Sequence, residues 1–161
     1  MTAQNTLKKT LDGVAEYAGF SKHSGAWYRR QAATLAVIEL QKSEYGPQYY
    51  VNVALWLLPL SQSQFPKEET CHIRTRLGRL FPQEEKRLKE ILDLEYPMDE
   101  ATRETQFRGM LEKLLLPTLA GCSTVAGLKG GLGGGRLLKS SLVNREAQRL
   151  LGLDVSGPGP R

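Results

Sequence analysis

Cysteine and histidine are scarce in this chain: two of each among 161 residues, with aromatic side chains at 7%. Cys71 and Cys122 show no CxxC or other ligand-like spacing, so no disulfide framework is expected and both thiols read as reduced. His23 and His72 fall in different predicted elements, with no HxxxH or HExxH pattern. No metal and no cofactor is therefore expected. Long hydrophobic runs are missing as well. Val53 to Leu60 is the longest apolar stretch, strand-sized against the ~18 residues that a membrane helix needs. The opening "MTAQNTLKKTLDG" lacks the apolar segment of a secretory signal. A cytoplasmic protein with no membrane partner is the expectation.

Signatures of catalysis are absent too. There is no GxSxG, and the glycine run Gly127 to Gly135 fits neither phosphate-cradling motif. Leu138 stands before Lys139-Ser140 where a P-loop needs glycine, and Arg136 stands where GxGxxG needs its third. Glu84-Glu85 lies on a short predicted helix facing solvent, and Cys71 is expected to face the core. No enzyme is expected. An enzymatic alternative would use His72 as a base within a site assembled from separated residues.

The charge of one sign is small and unevenly placed. Net charge is +5, yet residues 1–125 hold sixteen Lys and Arg against fifteen Asp and Glu. Residues 126–161 hold six against two. The excess lies in a Gly-rich C-terminal segment and is not a basic footprint on a folded face.

What is present is amphipathic pattern. Leu7, Leu11, Val14 and Ala18 share one helical face, predicting a helix over about residues 4–18 that stops at Gly19. "GFSKHSGAWYRRQ" predicts a turn into a short strand near Trp27 to Gln31. "AVIELQKSEYGPQYYVNVALWLL" predicts a hairpin over 36–58. With Glu44 to Pro47 as its loop, Leu40 pairs with Val51, Ile38 with Val53 and Ala36 with Leu55 on an apolar face. Gln41 pairs with Tyr50, Glu39 with Asn52 and Leu35 with Trp56 on a mixed one.

"SQSQFPKEET" reads as a loop. "CHIRTRLG" alternates again, with Cys71, Ile73, Thr75 and Leu77 on one face and His72, Arg74 and Arg76 on the other. Pro82 followed by glutamates opens a short helix ending near Leu94. A longer helix covers about Asp99 to Leu116, with Phe107, Leu111, Leu114 and Leu115 inward, bent or ended by Pro117.

The fold expected is α+β: an N-terminal helix, an antiparallel meander of about four strands, and C-terminal helices packing on the sheet. Residues 1–125 form the core, and 126–140 a flexible Gly-rich connection. Residues 141–153 hold a C-terminal helix of the same domain, from the Asn144 N-cap to Gly152, and 154–161 form a disordered tail.

By parity the mixed sheet face carries Glu39, Gln41, Tyr50, Asn52, His72, Arg74 and Arg76, with Leu35 and Trp56 toward one end. Two structural readings apply: cross-strand charge pairs on a solvated sheet, or cover by a C-terminal helix. The functional reading is a binding surface, since Arg forks, amides and aromatic edges are typical of interfaces.

The order "GFSK", "AWYRR", "VIELQKS", "YYVNVAL", "CHIRTRLG" resembles the bacterial domain-of-unknown-function family 4304. Its most specific pieces are "LQKS" at 40–43, "VNV" at 51–53 and "RTRLG" at 74–78, within a resemblance running from Leu7 to about Leu151. The resemblance implies a small intracellular bacterial protein without an established activity, and it transfers no site residue. The function expected is a non-enzymatic binding module whose partner is another protein, possible versions including an immunity-type protein that neutralises a toxin. The alternative is a nucleic-acid accessory protein using Arg29, Arg30, Arg74, Arg76 and the basic C-terminal segment.

Overall fold

The Thr2 hydroxyl accepts the Asn5 N–H at 3.1 Å and starts helix α1 (Ala3–Tyr17), which buries Leu7, Leu11, Val14 and Ala15 along one stripe. Gly19, at φ +88°, ends it as expected. Its N–H donates to Glu16 O, and that of Phe20 to Ala15 O, the paired bonds of a Schellman motif. The computed structural model describes residues 2–153. The tail expected to be disordered, 154–161, lies outside the described residues.

Ser24 and Gly25, both at positive φ, make the two-residue turn between β1 (Ser21–His23) and β2 (Ala26–Arg30). β3 (Thr34–Lys42) and β4 (Tyr49–Leu57) pair in the predicted register, Ile38 opposite Val53 and Glu39 opposite Asn52. β5 (Ile73–Arg76) lies against β4, and β6 (Leu142–Val143) against β5. The sheet therefore has six antiparallel strands in sequence order, where about four were expected. The additional strands are its two edges. β1 is three exposed residues and β6 only two, too short to carry a visible alternation.

The connection from β5 to β6 is helical. It comprises α2 (Leu77–Leu80), a 3₁₀ turn at Pro82–Glu84, α3 (Glu85–Ile91) and α4 (Glu100–Met110), whose N-cap Asp99 accepts the Thr102 N–H at 2.8 Å. The chain does not break at Pro117. A single π-helical turn, Leu111–Leu115, widens the coil just before the proline, and α5 (Leu116–Ala120) continues beyond it. The wider turn accommodates a residue that has no N–H to return to the ladder. Buried Arg103 donates to Asp93 O and Tyr96 O at 3.1 and 3.0 Å, tying α4 to the end of α3.

The Gly-rich stretch expected to be a flexible connection forms two helices, α6 (Val125–Gly130) and α7 (Leu132–Ser140). A Cβ on Gly134 would run into the backbone of Gly127 and Leu128, and one on Gly133 would come within 3.0 Å of Thr118 O. The glycines bring helix backbones together, and that packing outweighs a helix-propensity cost of about 1 kcal/mol each. α8 (Arg145–Leu150) follows, capped by Asn144 and closed by Gly152 at φ +72°. Leu128, Leu137, Ala147 and Leu151 are buried with Leu11, Ile38, Val53 and Phe107 in one core.

That core fills one face of the sheet. The other face is divided. Toward one end Ala26, Tyr28, Leu35, Val37, Ala54 and Cys71 form a smaller buried cluster with Trp56 beside it. Among the described residues its cover is the connection between β4 and β5. Tyr28 Oη donates to Pro66 O at 3.0 Å, and Phe65 stacks on His23 with centroids 4.0 Å apart. Cys71 thus joins this second cluster and not the main core, because strand pairing begins only at Ile73 and the alternation does not reach back to it.

A candidate anion-binding cleft at the open end of the sheet

The other end of the divided face is polar and centres on Asn52, buried at 4% exposure. Both partners of its amide N–H groups are acceptors on β3: Glu39 Oε1 at 3.0 Å and Gln41 Oε1 at 2.7 Å. Its Oδ1 accepts from Arg76 Nε at 3.3 Å. This is why an asparagine tolerates a position flanked by Val51 and Val53: every hydrogen-bonding group of its side chain has a partner.

Arg76 is held twice. Its Nε is bound to Asn52, and its guanidinium lies 4.0 Å over the Tyr50 ring. No described residue bonds its terminal nitrogens. Arg74, two residues earlier on the same strand face, differs. It donates through Nε and a terminal nitrogen to Glu68, at 3.0 and 3.2 Å, and this hydrogen bond raises its pKa. Glu68 is buried on the 3₁₀ turn Glu68–Thr70, so the pair pins the covering connection to the sheet.

A cleft of about 770 Å³ opens beside this network. Gln41, Asn52, Arg74 and Arg76 line it together with Arg79 of α2 and Lys139 of α7. Arg79 and Lys139 are exposed and have no partner among the described residues. Glu85 and the Arg74-bound Glu68 are the carboxylates in its wall. Cations exceed anions, and three of the cations, Arg76, Arg79 and Lys139, carry no carboxylate partner.

The seven residues predicted for the polar face thus separate. Gln41, Asn52, Arg74 and Arg76 line the cleft, Glu39 accepts from Asn52, and Tyr50 supports Arg76. His72 is elsewhere. It lies under Trp56 at the apolar end, where its Nδ1 accepts the Leu57 N–H at 2.9 Å. Burial lowers its pKa, opposed by the charge of Glu146. Its partners are structural, because β5 pairing starts one residue later.

The sequence reading did not include Arg79, Lys139 or the Glu68 counterion. Arg76 and Arg79 are three apart, so reading Leu77 as a helix start would have put them on one side. Lys139 arrives through a long helical connection, and no local pattern could have placed it there.

Burial raises the thiols of Cys71 and Cys122 to about 12, so neither is a ready thiolate nucleophile. Among the described residues no group of three His, Cys, Asp or Glu could hold a metal, and no helix is long and apolar enough to cross a membrane. No curated protein and no solved structure matches the chain. A family match covers residues 11–121, from α1 to the end of α5, and stops before the two Gly-rich helices that the resemblance had included. The chain belongs to the domain-of-unknown-function family DUF4304.

Proposed function

We propose that the protein is a non-enzymatic, cytoplasmic binding module that takes an anionic segment of another protein in the cleft beside Arg76. The observation that carries this reading is Arg76 itself. It is oriented by Asn52 and Tyr50, lacks an acidic partner, and stands with Arg79 and Lys139. An oriented Arg fork loses little freedom on binding a carboxylate, and Arg and Tyr are enriched where interfaces concentrate their affinity. Two buried, unpaired thiols suit a reducing compartment.

Three of the arginines that the nucleic-acid alternative would use are already hydrogen-bonded within the fold. Arg29 donates to Ala18 O and Gln31 Oε1, Arg30 to Gln62 Oε1, and Arg74 to Glu68. Arg136 donates to Leu80 O and lies over Phe81.

Calorimetric titration of the full chain with an acidic peptide, twelve residues of alternating Glu and Ser with both ends blocked, tests the reading. Wild type binds, added salt weakens it, and a folded R76A/R79A/K139A variant loses at least about tenfold in affinity. Unchanged affinity in that variant overturns the proposal. Tighter binding of a DNA or RNA oligonucleotide than of the peptide favours the alternative.

A further inference from the structure

Resting on the reading just proposed, we infer that the group taken by the cleft is a chain-terminal carboxylate, the C-terminus of a partner polypeptide whose last side chain is large and apolar. A second cavity of about 270 Å³ adjoins the cleft. Its floor is apolar, with Tyr49, Val51, Leu88 and Leu92 all buried, and Tyr50 forms one wall. Arg76, Arg79 and Glu85 line both cavities, so the two arginines stand where they meet. A ligand spanning that junction needs a negative group and an apolar group side by side. The final residue of a polypeptide has both on one Cα.

The neighbours of the two arginines favour a carboxylate over a phosphate. Glu85 stands at the junction, and Lys139, Ser140 and Ser141 bring the C-terminal end of α7 into the cleft wall. A helix C-terminus carries partial negative charge and disfavours a phosphate dianion. The geometry favours a planar acceptor. The Asn52 bond and the Tyr50 ring fix the guanidinium plane, leaving the terminal nitrogens as a fork that matches a carboxylate.

The rest of the incoming chain has a track. Arg74, Thr75 and Arg76 are consecutive and all line the cleft, so it follows the edge of β5. The Asn144 N–H donates to His72 O, and β6 reaches only as far as Leu142 opposite Arg74. The Thr75 hydroxyl donates to Ser140 O at 2.9 Å, so the end of α7 closes this edge beside Arg76. An incoming segment lies in the cleft along Arg74 while its last carboxylate meets Arg76 and Arg79. The Gln41 amide N–H groups have no partner among the described residues and face the same segment as donors.

The test is an NMR titration of the full-length chain, following the Arg76 Nε–H signal and the Leu88 and Leu92 methyls. The probes are the hexapeptide acetyl-Ser-Gly-Ser-Gly-Ser-Phe as the free acid, its C-terminal amide, the free acid ending in Gly, and inorganic phosphate. The free acid ending in Phe shifts all three signals saturably. The amide and the Gly-ended acid bind at least about tenfold more weakly. Arg76→Lys, which keeps the charge and loses the fork, lowers affinity for the free acid to that for the amide. Should that variant unfold, Arg79→Ala reads the same loss.

Equal affinity for acid and amide overturns the inference, as does phosphate shifting the Arg76 signal at concentrations equal to those of the free acid. The wider reading is tested separately. If the blocked Glu-Ser peptide binds through Arg76 while the free C-terminus confers no advantage, the anion-binding module stands and the terminal carboxylate falls. If neither peptide binds, both fall.

Discussion

Asn52 and Ala54 are two residues apart on β4 and point to the same side of one sheet, yet their surroundings are opposites. Ala54 lies among Leu35, Val37, Tyr28 and Cys71, beneath the chain that joins β4 to β5. Asn52 lies among Glu39, Gln41 and Arg76, next to an open cleft. The Arg74–Glu68 ion pair sits between the two regimes and holds the covering connection down. The arginines on either side of this boundary have correspondingly different roles. Arg74 is neutralised within the molecule, and Arg76 is oriented without being neutralised. A sheet face is thus not polar or apolar as a whole; each part takes the character of what lies over it.

The strongest way to break the contrast is to put a charge into the dry end. Val37→Asp, with only Tyr28 and Ala54 opposite it, would bury a carboxylate with no partner and is expected to cost about 3–5 kcal/mol, read as a shift in the urea midpoint at constant slope. A loss below about 1 kcal/mol would mean that the connection lifts easily and that the face is open along its full length.

Arg74→Ala tests the boundary. It leaves Glu68 without its two charge-assisted bonds, and because Arg74 is partly exposed we expect a loss of about 1–2 kcal/mol. Hydrogen exchange should accelerate in residues 61–70 more than at Asn52. Equal acceleration at both ends would remove the distinction between pinned and open halves.

The smallest effect is one of pH. Burial depresses the folded-state pKa of His72, whose neutral Nδ1 accepts the Leu57 N–H. Its contribution is fully present above the unfolded value near 6.5 and is lost as pH falls through the folded value. A single such group changes stability by at most about 1.4 kcal/mol per pH unit. Denaturation of wild type and His72→Asn at pH 7.5 and 5.5 checks this: the wild type should lose more stability over the interval. Parallel losses would show that the imidazole does not couple to folding.

Much of the architecture was legible in residue order. The hairpin register followed from segregating apolar and polar residues, since a slip of one position would exchange the faces of Ile38 and Glu39. The ends of α1 and α8 followed from Gly19 and Gly152, both at positive φ. Polar pairing was legible in part: Glu39 opposite Asn52 was read correctly, and their hydrogen bond follows from it. Parity failed at Cys71, because it applies only within a paired strand. Composition misled at 126–140, where glycine read as flexibility. There the missing side chains allow close backbone approach, a tertiary gain that no single-residue propensity contains.

The sequence by itself determined α1, α8 and the pairing of β3 with β4, because period and turn chemistry act over a few residues. It also determined which side chains of β3 and β4 share a sheet face. Tertiary structure decided which part of that face is dry and which is wet, because the cover comes from residues 58–72, whose own pattern says nothing of where they lie. It likewise decided the cleft. Lys139, Arg79 and Arg76 belong to separate elements, and only the packing of α2 and α7 against the edge of β5 brings their charges together.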